Sequence, residues 1–391
     1  MALAAPIETA TPADIGLNTQ RTQQVVNVLQ GSVDRQHIPG AVMLIARQGR
    51  IGLFKAIGQQ DPAAGTPMRT DSIFRIYSMT KPLVSVAVMM LVERGRLLIS
   101  DSASKWLPEY AQQAVLGASG LIPAWQPATV QDLLRHTAGL TYEFLGESPV
   151  QREYDKLQLA SRKRSNDDFS RTLAGIPLQF QPRSCWAYSR ATDVLGRVVE
   201  VVSGQTLGNF LQREIFEPLG MVDTGFAVPP AQQHRIAEAF AHDPDGGVPM
   251  KLINPREVPA LESGGGGLMS TAMDYARFLQ CLRNGGELDG YRLLGRHTLA
   301  FMTADHLGDI LIDGGLLPPG HGFGLGFAVR LATGESPVPG SVGTYHWSGI
   351  GGTSFFVDPA QDLYALLLTQ APNQRDHYRQ LFRNLVYAAL D

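Results

Sequence analysis

The sequence predicts an α/β (α+β) fold, in which an antiparallel sheet is flanked by helices and a helical subdomain is added to it. Strand patterns occur at both ends of the chain, and helix patterns occur in its middle. This order is expected when the two ends pair in one sheet and the middle packs beside it as a helical layer. We predict a single structural unit over residues 1–391, with an α/β subdomain at about 1–76 and 285–391 and a mainly helical subdomain at 77–284.

The first strands and the first long helix are predicted between residues 40 and 95. The segments AVMLIAR and RIGLF are rich in branched apolar residues and meet at Gln48-Gly49, which is typical of a β-hairpin. From residue 81 to residue 94 the apolar residues recur at three- and four-residue spacing, and Gly95 follows as a stop signal. Because this helix is apolar on nearly all sides, we expect it to be buried.

Helices are predicted through the middle of the chain, and strands return between residues 320 and 370. The helical segments are VQDLLRHTAG, ATDVLGRVVEVVSG, TLGNFLQREIFEPLG and TAMDYARFLQCLRNGG. The strand segments are FGLGFAVRL, TYHWSG, TSFFVDP and LYALLLTQ, separated by turns rich in Gly, Pro and Asp. An amphipathic helix is predicted in RQLFRNLVYAAL.

The composition excludes several kinds of partner. Because 33 basic and 36 acidic residues give a net charge of -3, we expect no nucleic-acid partner. No apolar run approaches the roughly 18 residues of a membrane span, and residues 1–16 lack the basic start of a signal peptide, so we expect a cytoplasmic protein without a membrane partner. Cys185 and Cys281 are predicted to be buried free thiols. Metal-ligand spacings and phosphate-loop motifs are absent, so we expect neither a metal nor a cofactor.

Ser78 and Lys81 form a candidate reacting pair at the start of the predicted buried helix. Residues three apart share a helix face, with Cβ atoms about 5–6 Å apart, and the unpaired N–H groups of a helix start suit an oxygen that gains negative charge. The lysine acts as a base only when neutral, and lowering its pKa from 10.4 to 7 costs about 4.6 kcal/mol, which requires burial. The spacing alone also fits an ordinary helix cap. Ser102 and Lys105 have the same spacing, but no buried helix follows them, so a surface turn is predicted there.

Five segments occur in a characteristic order along the chain. They are FRIYSMTKPLVSVAVMMLVERGRLLISD, VQDLLRHTAGL, FQPRSCWAYSRATDVLGRVVEVVSGQTL, GGGGLMSTAMDYARFL and HWSGIGGTSFFVDP. Together they resemble the serine β-lactamase and penicillin-binding protein superfamily, and most closely its esterase branch, the family VIII carboxylesterases related to class C β-lactamases. The resemblance runs from about residue 20 to residue 385. It implies a serine β-lactamase-like fold and a serine hydrolase whose substrate is a small-molecule ester.

The resemblance also implies roles for individual residues. Ser78 corresponds to the acylated nucleophile, Lys81 shares the general-base role, and Tyr188 shuttles the proton between Ser78, Lys81 and the leaving group. Arg190 stands where β-lactamases have an Asn, and it cannot replace that acceptor. We therefore leave Arg190 out of the site and expect it in a salt bridge.

The strand motif departs from the β-lactamase pattern, because Trp347, Ser348 and Gly349 stand in place of Lys-Thr-Gly. These three residues are predicted to bind substrate. Trp347 offers an apolar face and one N–H donor, which favours an uncharged ester over a carboxylated substrate. By analogy with the family, the backbone N–H groups of Ser78 and Ile350 are predicted to form the oxyanion hole.

Other histidines and loops are interpreted less directly. His136 is expected to be structural, and no G-x-S-x-G motif occurs that would support a different serine hydrolase fold. Strand alternation places His346 on the face opposite Trp347, where it either supports the site or packs in a core. The loops at residues 142–168 and 306–321 are expected to shape the pocket.

We therefore predict a serine carboxylesterase that hydrolyses short-to-medium acyl esters through a Ser78 acyl-enzyme. A transesterase of the same fold is one alternative. A β-lactamase or DD-peptidase is a second, and Trp347 and Arg190 argue against it. A non-catalytic scaffold is the third, and it gives no reason for Ser78, Lys81 and Tyr188 all to be present. The sequence gives no prediction of the physiological ester or of the oligomeric state.

Overall fold

A computed structural model describes residues 5–391 of the chain. Residues 1–16 were predicted not to be a signal peptide, and the first four of them lie outside the described residues. Between residues 5 and 391, no helix has the length and apolar character needed to cross a membrane.

Eight strands form one antiparallel sheet, and the remaining strands pair two by two. The strands along the described chain are β1 Gly40–Arg47, β2 Arg50–Asp61, β3 Thr66–Pro67, β4 Phe74–Arg75, β5 Ala114–Gly117, β6 Gly120–Pro123, β7 Cys185–Trp186, β8 Met269–Ser270, β9 Glu287–Leu288, β10 Tyr291–Arg292, β11 Leu311–Ile312, β12 His321–Phe323, β13 Ala328–Arg330, β14 Tyr345–Ser348, β15 Ser354–Asp358 and β16 Leu363–Leu368. The order in the large sheet is β12-β13-β14-β15-β16-β1-β2-β3.

The two ends of the chain meet where β1 pairs with β16, with Val42 opposite Leu368 and Ala46 opposite Tyr364. This confirms the predicted fold class. The β1–β2 hairpin turns at Gln48 and Gly49, whose φ angles of 54° and 77° suit a tight turn between twisted strands. The prediction of one strand in FGLGFAVRL was wrong, because β12 and β13 are separate strands. Between them the Gly324 N–H donates to the Phe327 carbonyl.

Helices cover both faces of the sheet. They are α1 Thr19–Asp34, α2 Thr80–Glu93, α3 Val130–Leu134, α4 Pro149–Lys156, α5 Asn166–Ala174, α6 Ala191–Ser203, α7 Leu207–Leu211, α8 Glu217–Leu219, α9 Ala272–Arg283, α10 Arg296–Met302 and α11 Arg375–Ala388, with a π-helical turn at Gln212–Phe216 between α7 and α8. Helix α2 is buried along nearly its whole length and ends just before Gly95, which has a φ of 65°, as its sequence predicts.

Two hydrophobic cores lie on the two sides of the sheet. The larger core joins the inner face, which carries Trp347 and Phe355, to α2, α6 and α9. The smaller core joins the outer face, which carries Phe356, to α1 and α11. The cavity described below reaches both faces near the end of β14, so α11 becomes part of its wall.

The two cysteines are free thiols, as predicted. Cys281 is buried in α9, but Cys185 is partly exposed, so the expectation of two buried thiols was wrong for Cys185. The division into subdomains at residues 77 and 284 stays a prediction.

Candidate active site

Ser78 lies in a tight turn that connects β4 to α2. The 3₁₀ turn Tyr77–Met79 leads directly into the helix, so the Ser78 side chain stands at the helix entrance. Tyr77 has a φ of 44°, a conformation that is unfavourable for a bulky side chain. The Tyr77 hydroxyl accepts a hydrogen bond from the Ile253 N–H at 3.1 Å, and Gly351 leaves room for the Tyr77 ring. The surrounding chain therefore holds this turn in place and presents Ser78 to the cavity.

Lys81 is almost fully buried, at 1% exposure, and its amine has three polar partners. The Nζ atom lies 3.3 Å from Ser78 Oγ, 2.9 Å from the Tyr142 hydroxyl and 2.6 Å from the Gly265 carbonyl oxygen. Burial lowers the pKa of Lys81 to about 7. The amine therefore exchanges between its charged and neutral forms near neutral pH, which an exposed lysine does not do.

The Tyr188 ring packs against the amine of Lys81. Its ring centroid lies 4.5 Å from Lys81 Nζ, and its hydroxyl accepts a hydrogen bond from Trp347 Nε1 at 3.3 Å. Burial raises the pKa of the Tyr188 phenol above its usual value, although hydrogen bonds with Ser78 and Trp347 act in the opposite direction. At neutral pH Tyr188 is therefore a protonated phenol, able to donate one hydrogen bond and to accept others.

Tyr142 and Gly265 are the two partners of Lys81 that the sequence analysis missed. Tyr142 is 4% exposed, and its ring centroid lies 5.1 Å from Lys81 Nζ. Gly265 belongs to the glycine run at 264–267, where a Cβ atom would lie 2.9 Å from the Tyr142 hydroxyl. Tyr142 lies two residues after the recognised segment VQDLLRHTAGL, and Gly265 lies inside the recognised GGGG run, so both positions carried a usable signal.

Asp193 and Arg190 set the charge around the lysine. The charge of Asp193 raises the pKa of Lys81, and the charge of Arg190 lowers it, both less than burial does. Asp193 Oδ1 accepts the Gly265 N–H at 2.9 Å, which links this carboxylate to the carbonyl group that holds Lys81. Arg190 Nε donates to Glu143 at 3.2 Å, so the expectation that Arg190 forms a salt bridge is confirmed.

The segment after β14 contains Ile350, whose backbone N–H is predicted to be an oxyanion donor. Gly349 is required there, because a Cβ atom would lie 2.4 Å from the Ile76 carbonyl oxygen. The Ile350 N–H donates to no other described residue, and the Ile350 side chain stands half-exposed at the cavity rim. Ser348 also lines the cavity, but its hydroxyl accepts a hydrogen bond from Arg379 Nη1 at 2.5 Å.

A cavity of about 680 Å³ connects these groups. Its walls include both loops that were expected to shape the pocket, through Tyr142, Phe144, Arg162 and Leu316. Other parts of the wall were missed, among them the loop at residues 336–338 and the first turns of α11. Within the described part of the chain, no group of three or more His, Cys, Asp or Glu side chains is arranged to hold a metal ion.

The histidines take the places expected for them. His136 Nδ1 lies 3.0 Å from the Ser189 hydroxyl. The His136 ring packs against the Tyr188 ring, with the ring centroids 5.0 Å apart. Burial holds the pKa of His136 well below its usual value, so its ring is neutral. His346 lies on the strand face opposite Trp347, and its ring contacts that of His321.

Comparison with known proteins identifies the family. The family model described as Beta-lactamase matches residues 25–388. The chain belongs to the beta-lactamase family. Within this family, the esterase EstB of Burkholderia gladioli is 36% identical over 371 residues, which cover 88% of this chain and 88% of EstB.

Solved structures agree with the fold. EstCE1, described as a hydrolase with promiscuous acyltransferase activity, has a TM-score of 0.79 and 29% identity, covering 94% of this chain and 98% of its own. Simvastatin synthase (LovD) from Aspergillus terreus also has a TM-score of 0.79, and at 24% identity it supports the fold alone. The predicted place of the chain in the esterase branch of the family, and its prediction as a serine hydrolase, are confirmed.

Proposed function

We propose that the protein is a serine carboxylesterase that hydrolyses short-to-medium acyl esters through an acyl-enzyme on Ser78. The coarser assignment, a carboxylesterase or acyltransferase of this fold, follows from its likeness to EstB and EstCE1. The proposal is carried by the buried Lys81 amine, which has a pKa of about 7 and lies 3.3 Å from Ser78 Oγ. A neutral amine is therefore accessible beside the serine near pH 7.

In the first step, neutral Lys81 accepts the Ser78 proton while Oγ attacks the ester carbonyl. The Gly265 carbonyl oxygen can only accept, so the amine donates one hydrogen there. A second hydrogen is directed at the Tyr142 hydroxyl, which leaves the lone pair for Ser78. The N–H groups of Ser78 and Ile350 stabilise the developing oxyanion, a contribution of about 2.7–4 kcal/mol for each donor in related chemistry.

Release of the alcohol requires a proton on the leaving oxygen. Tyr188 lies between Lys81 and Trp347 and is a neutral phenol, so it donates its proton to the leaving oxygen and regains one from Lys81. Water then attacks the acyl-enzyme, with the same groups accepting and returning the proton. No charged intermediate of Tyr188 has to persist, because the lysine supplies the proton as the phenol loses its own.

The shape of the cavity supports an acyl group of short to medium length. Its volume of about 680 Å³ falls within the roughly 300–1,000 Å³ usual for small-molecule sites. Apolar side chains, Phe144, Leu145 and Leu316, stand at the wall formed by the two predicted loops. Trp347 presents its ring beside Tyr188, where a charged group would lose its hydration.

The proposal is tested by mixing the protein with p-nitrophenyl butyrate and following release from milliseconds to minutes. We expect a burst equal to the enzyme concentration followed by steady turnover, because acylation by an activated p-nitrophenyl ester should be faster than hydrolysis of the acyl-enzyme. Ser78→Ala should abolish both phases, and mass spectrometry should show the butyryl group on Ser78. Ser102→Ala is the matched control and should retain both. Steady turnover that survives in Ser78→Ala contradicts the proposal.

A second candidate function is acyl transfer, which is favoured by the likeness to EstCE1, a hydrolase with promiscuous acyltransferase activity. An acyltransferase passes the acyl group from Ser78 to an alcohol or amine instead of water. Its signature would be a burst that stalls until an alcohol such as 1-butanol is added, with butyl butyrate as product. Turnover that is indifferent to alcohol, with butyric acid as product, decides for the hydrolase.

A further inference from the structure

The cavity that contains Ser78 extends past the end of β14 to the outer face of the sheet. There its wall is formed by β14, by β15, by the loop at residues 336–338 and by α11. Helix α11 presents Arg375, Arg379 and Arg383 to the cavity at four-residue spacing, so the three side chains share one helix face. Nothing in the reaction described above uses this end of the cavity.

Arg383 is the unusual member of this row. It is only 7% exposed, and its Nε and Nη2 atoms are buried without a hydrogen-bond partner among the described residues. The guanidinium lies over the Phe356 ring, 4.9 Å from the ring centroid. Burial lowers the pKa of Arg383 to about 10, which still leaves it charged at neutral pH. Buried arginines are normally paired with an acceptor, so an unpaired one in a cavity wall indicates a missing anionic partner.

The neighbouring charges do not provide that partner. Arg379 donates to Ser348 and also pairs with Asp376, so Asp376 is already engaged. The second carboxylate near Arg383 is Asp358, which accepts hydrogen bonds from the Tyr387 hydroxyl and from several backbone N–H groups.

The charged groups around this chamber favour an anion. Arg330, Arg375, Arg379 and Arg383 face two carboxylates, Asp358 and Asp376, which leaves an excess of positive charge. Arg330 is engaged by the backbone carbonyl groups of residues 332 and 338, so Arg383 is left with the unused donors. A carboxylate carries one charge and matches the planar geometry of a guanidinium.

Two further unpartnered groups lie in the wall of the same cavity as Arg383. His346 Nε2 and Ser336 Oγ are buried, and neither has a hydrogen-bond partner among the described residues. Burial, together with the charges of the neighbouring arginines, holds the pKa of His346 well below its usual value, so its ring is neutral. A neutral imidazole and a hydroxyl can each donate one hydrogen bond to an oxygen of an anion.

We propose that the chamber between α11 and the outer face of β14 is a carboxylate subsite, in which Arg383 carries the charge and His346 and Ser336 complete the donor set. The carboxylate comes either from the far end of the acyl group of an ester bound at Ser78 or from a free carboxylic acid. The first source rests on the proposed function and makes monoesters of dicarboxylic acids the substrate class. Trp347 disfavours charge on the inner face, and the chamber accommodates it on the outer face.

Binding of a free carboxylate is tested by thermal unfolding in acetate, with acetamide as the neutral match. Arg383→Met removes the charge, and Arg292→Met is the control, because Arg292 is an exposed arginine outside the cavity wall. We expect acetate, but not acetamide, to raise the Tm of the wild type and of Arg292→Met, and to leave that of Arg383→Met unchanged. Without acetate, Arg383→Met should melt above the wild type, because an unpaired buried charge is gone. A lower Tm of Arg383→Met without acetate would assign Arg383 a structural role and overturn the proposal.

The source of the carboxylate is decided by comparing mono-p-nitrophenyl adipate with p-nitrophenyl butyrate. If the carboxylate belongs to the substrate, the ratio of kcat/KM for the two esters falls about tenfold or more in Arg383→Met and stays constant in Arg292→Met. A constant ratio with a positive acetate result identifies the free acid as ligand. A constant ratio with no acetate response overturns the subsite, while Ser78-dependent turnover of butyrate still stands. If neither ester is turned over, the proposed function fails and the acetate measurement decides the subsite alone.

Discussion

The chain contains two Ser-x-x-Lys sequences, Ser78–Lys81 and Ser102–Lys105, and they fold into opposite environments. Lys81 is 1% exposed and its amine is held between Ser78, Tyr142 and a backbone carbonyl group. The Lys105 side chain is 53% exposed and pairs with Asp101 at 2.9 Å. Ser102 accepts a hydrogen bond from the Ser104 N–H as the cap of a short 3₁₀ turn, which confirms the predicted surface turn.

The difference arises from the residues that follow each sequence. After Lys81, the apolar run of α2 carries the helix between the sheet and α6, and the lysine is buried with it. After Lys105, the 3₁₀ turn ends at Trp106 and no long apolar helix follows, so the Lys105 side chain remains exposed. Identical spacing therefore gives one lysine poised to exchange a proton near pH 7 and one ordinary surface ion pair, and burial rather than the motif makes the difference.

The largest expected difference between the two lysines is in catalysis. Lys81→Met should lower kcat/KM for p-nitrophenyl butyrate by about 10²–10⁴-fold, because the serine loses its general base. Lys105→Met should leave kcat/KM within about twofold, since a surface ion pair makes little contribution. Steady-state kinetics gives kcat/KM for the two variants and for the wild type. A similar loss in both variants would show that the environments do not separate the two motifs.

The second difference concerns stability and its dependence on pH. Unfolded Lys81 has a pKa near 10.4, but the folded pKa is about 7, so between these values the unfolded state binds the extra proton. The free energy of unfolding therefore falls as the pH is lowered from about 10 to 7, and the penalty is complete below 7. Methionine does not bind a proton, so Lys81→Met does not show this pH dependence. The free energy of unfolding of Lys81→Met minus that of the wild type should therefore be about 3 kcal/mol larger at pH 7 than at pH 10.

Urea unfolding at the two pH values measures this effect, and Lys105→Met provides the control. Its side chain is half exposed and paired with Asp101, so we expect no comparable gain at pH 7. A gain for Lys81→Met that is independent of pH would contradict the assignment of the penalty to protonation of the buried amine.

A smaller effect is expected from Tyr142, the tyrosine that receives a Lys81 hydrogen bond at 2.9 Å. Tyr142→Phe removes this acceptor and lets the amine turn away from Ser78, so kcat should fall about tenfold with KM nearly unchanged. Tyr154→Phe is a matched control, because Tyr154 is equally buried but does not line the cavity. An unchanged kcat in Tyr142→Phe would show that Gly265 alone orients the lysine.

The fold could be predicted from the sequence largely because its signals are local. The Gln48-Gly49 turn, the apolar repeat of α2 and the strand patterns at both ends each specify an element, and few pairings remain for two groups of strands separated by helices. Register and short strands were harder, as the split of FGLGFAVRL into β12 and β13 shows. That split depends on a four-residue turn at 324–327, which the apolar pattern does not reveal.

The site was predicted where family motifs mark it, and missed where the contacts come from residues distant in sequence. Ser78, Lys81, Tyr188 and Trp347 are neighbours in the structure, as their motifs indicated. The role of each of these residues stays a proposal. The arginine row of α11 was visible as a four-residue repeat in the sequence, but the repeat alone does not say whether such a face meets solvent or a cavity.

The smallest expected effect is on the pH dependence of kcat/KM, when the acidic neighbour of each lysine is replaced in turn. Asp193 raises the pKa of Lys81, so Asp193→Asn should move the acid limb of the pH profile of kcat/KM below its expected midpoint of about 7. The asparagine in Asp193→Asn still offers an acceptor for the Gly265 N–H. Asp101→Asn, beside Lys105, is the control and should leave the acid limb unchanged. A limb that stays fixed in Asp193→Asn would exclude Lys81 as the titrating base. A limb near pH 7 that moves with Asp193 assigns the titration to the buried amine rather than to Tyr188, because burial raises the pKa of that phenol above 10.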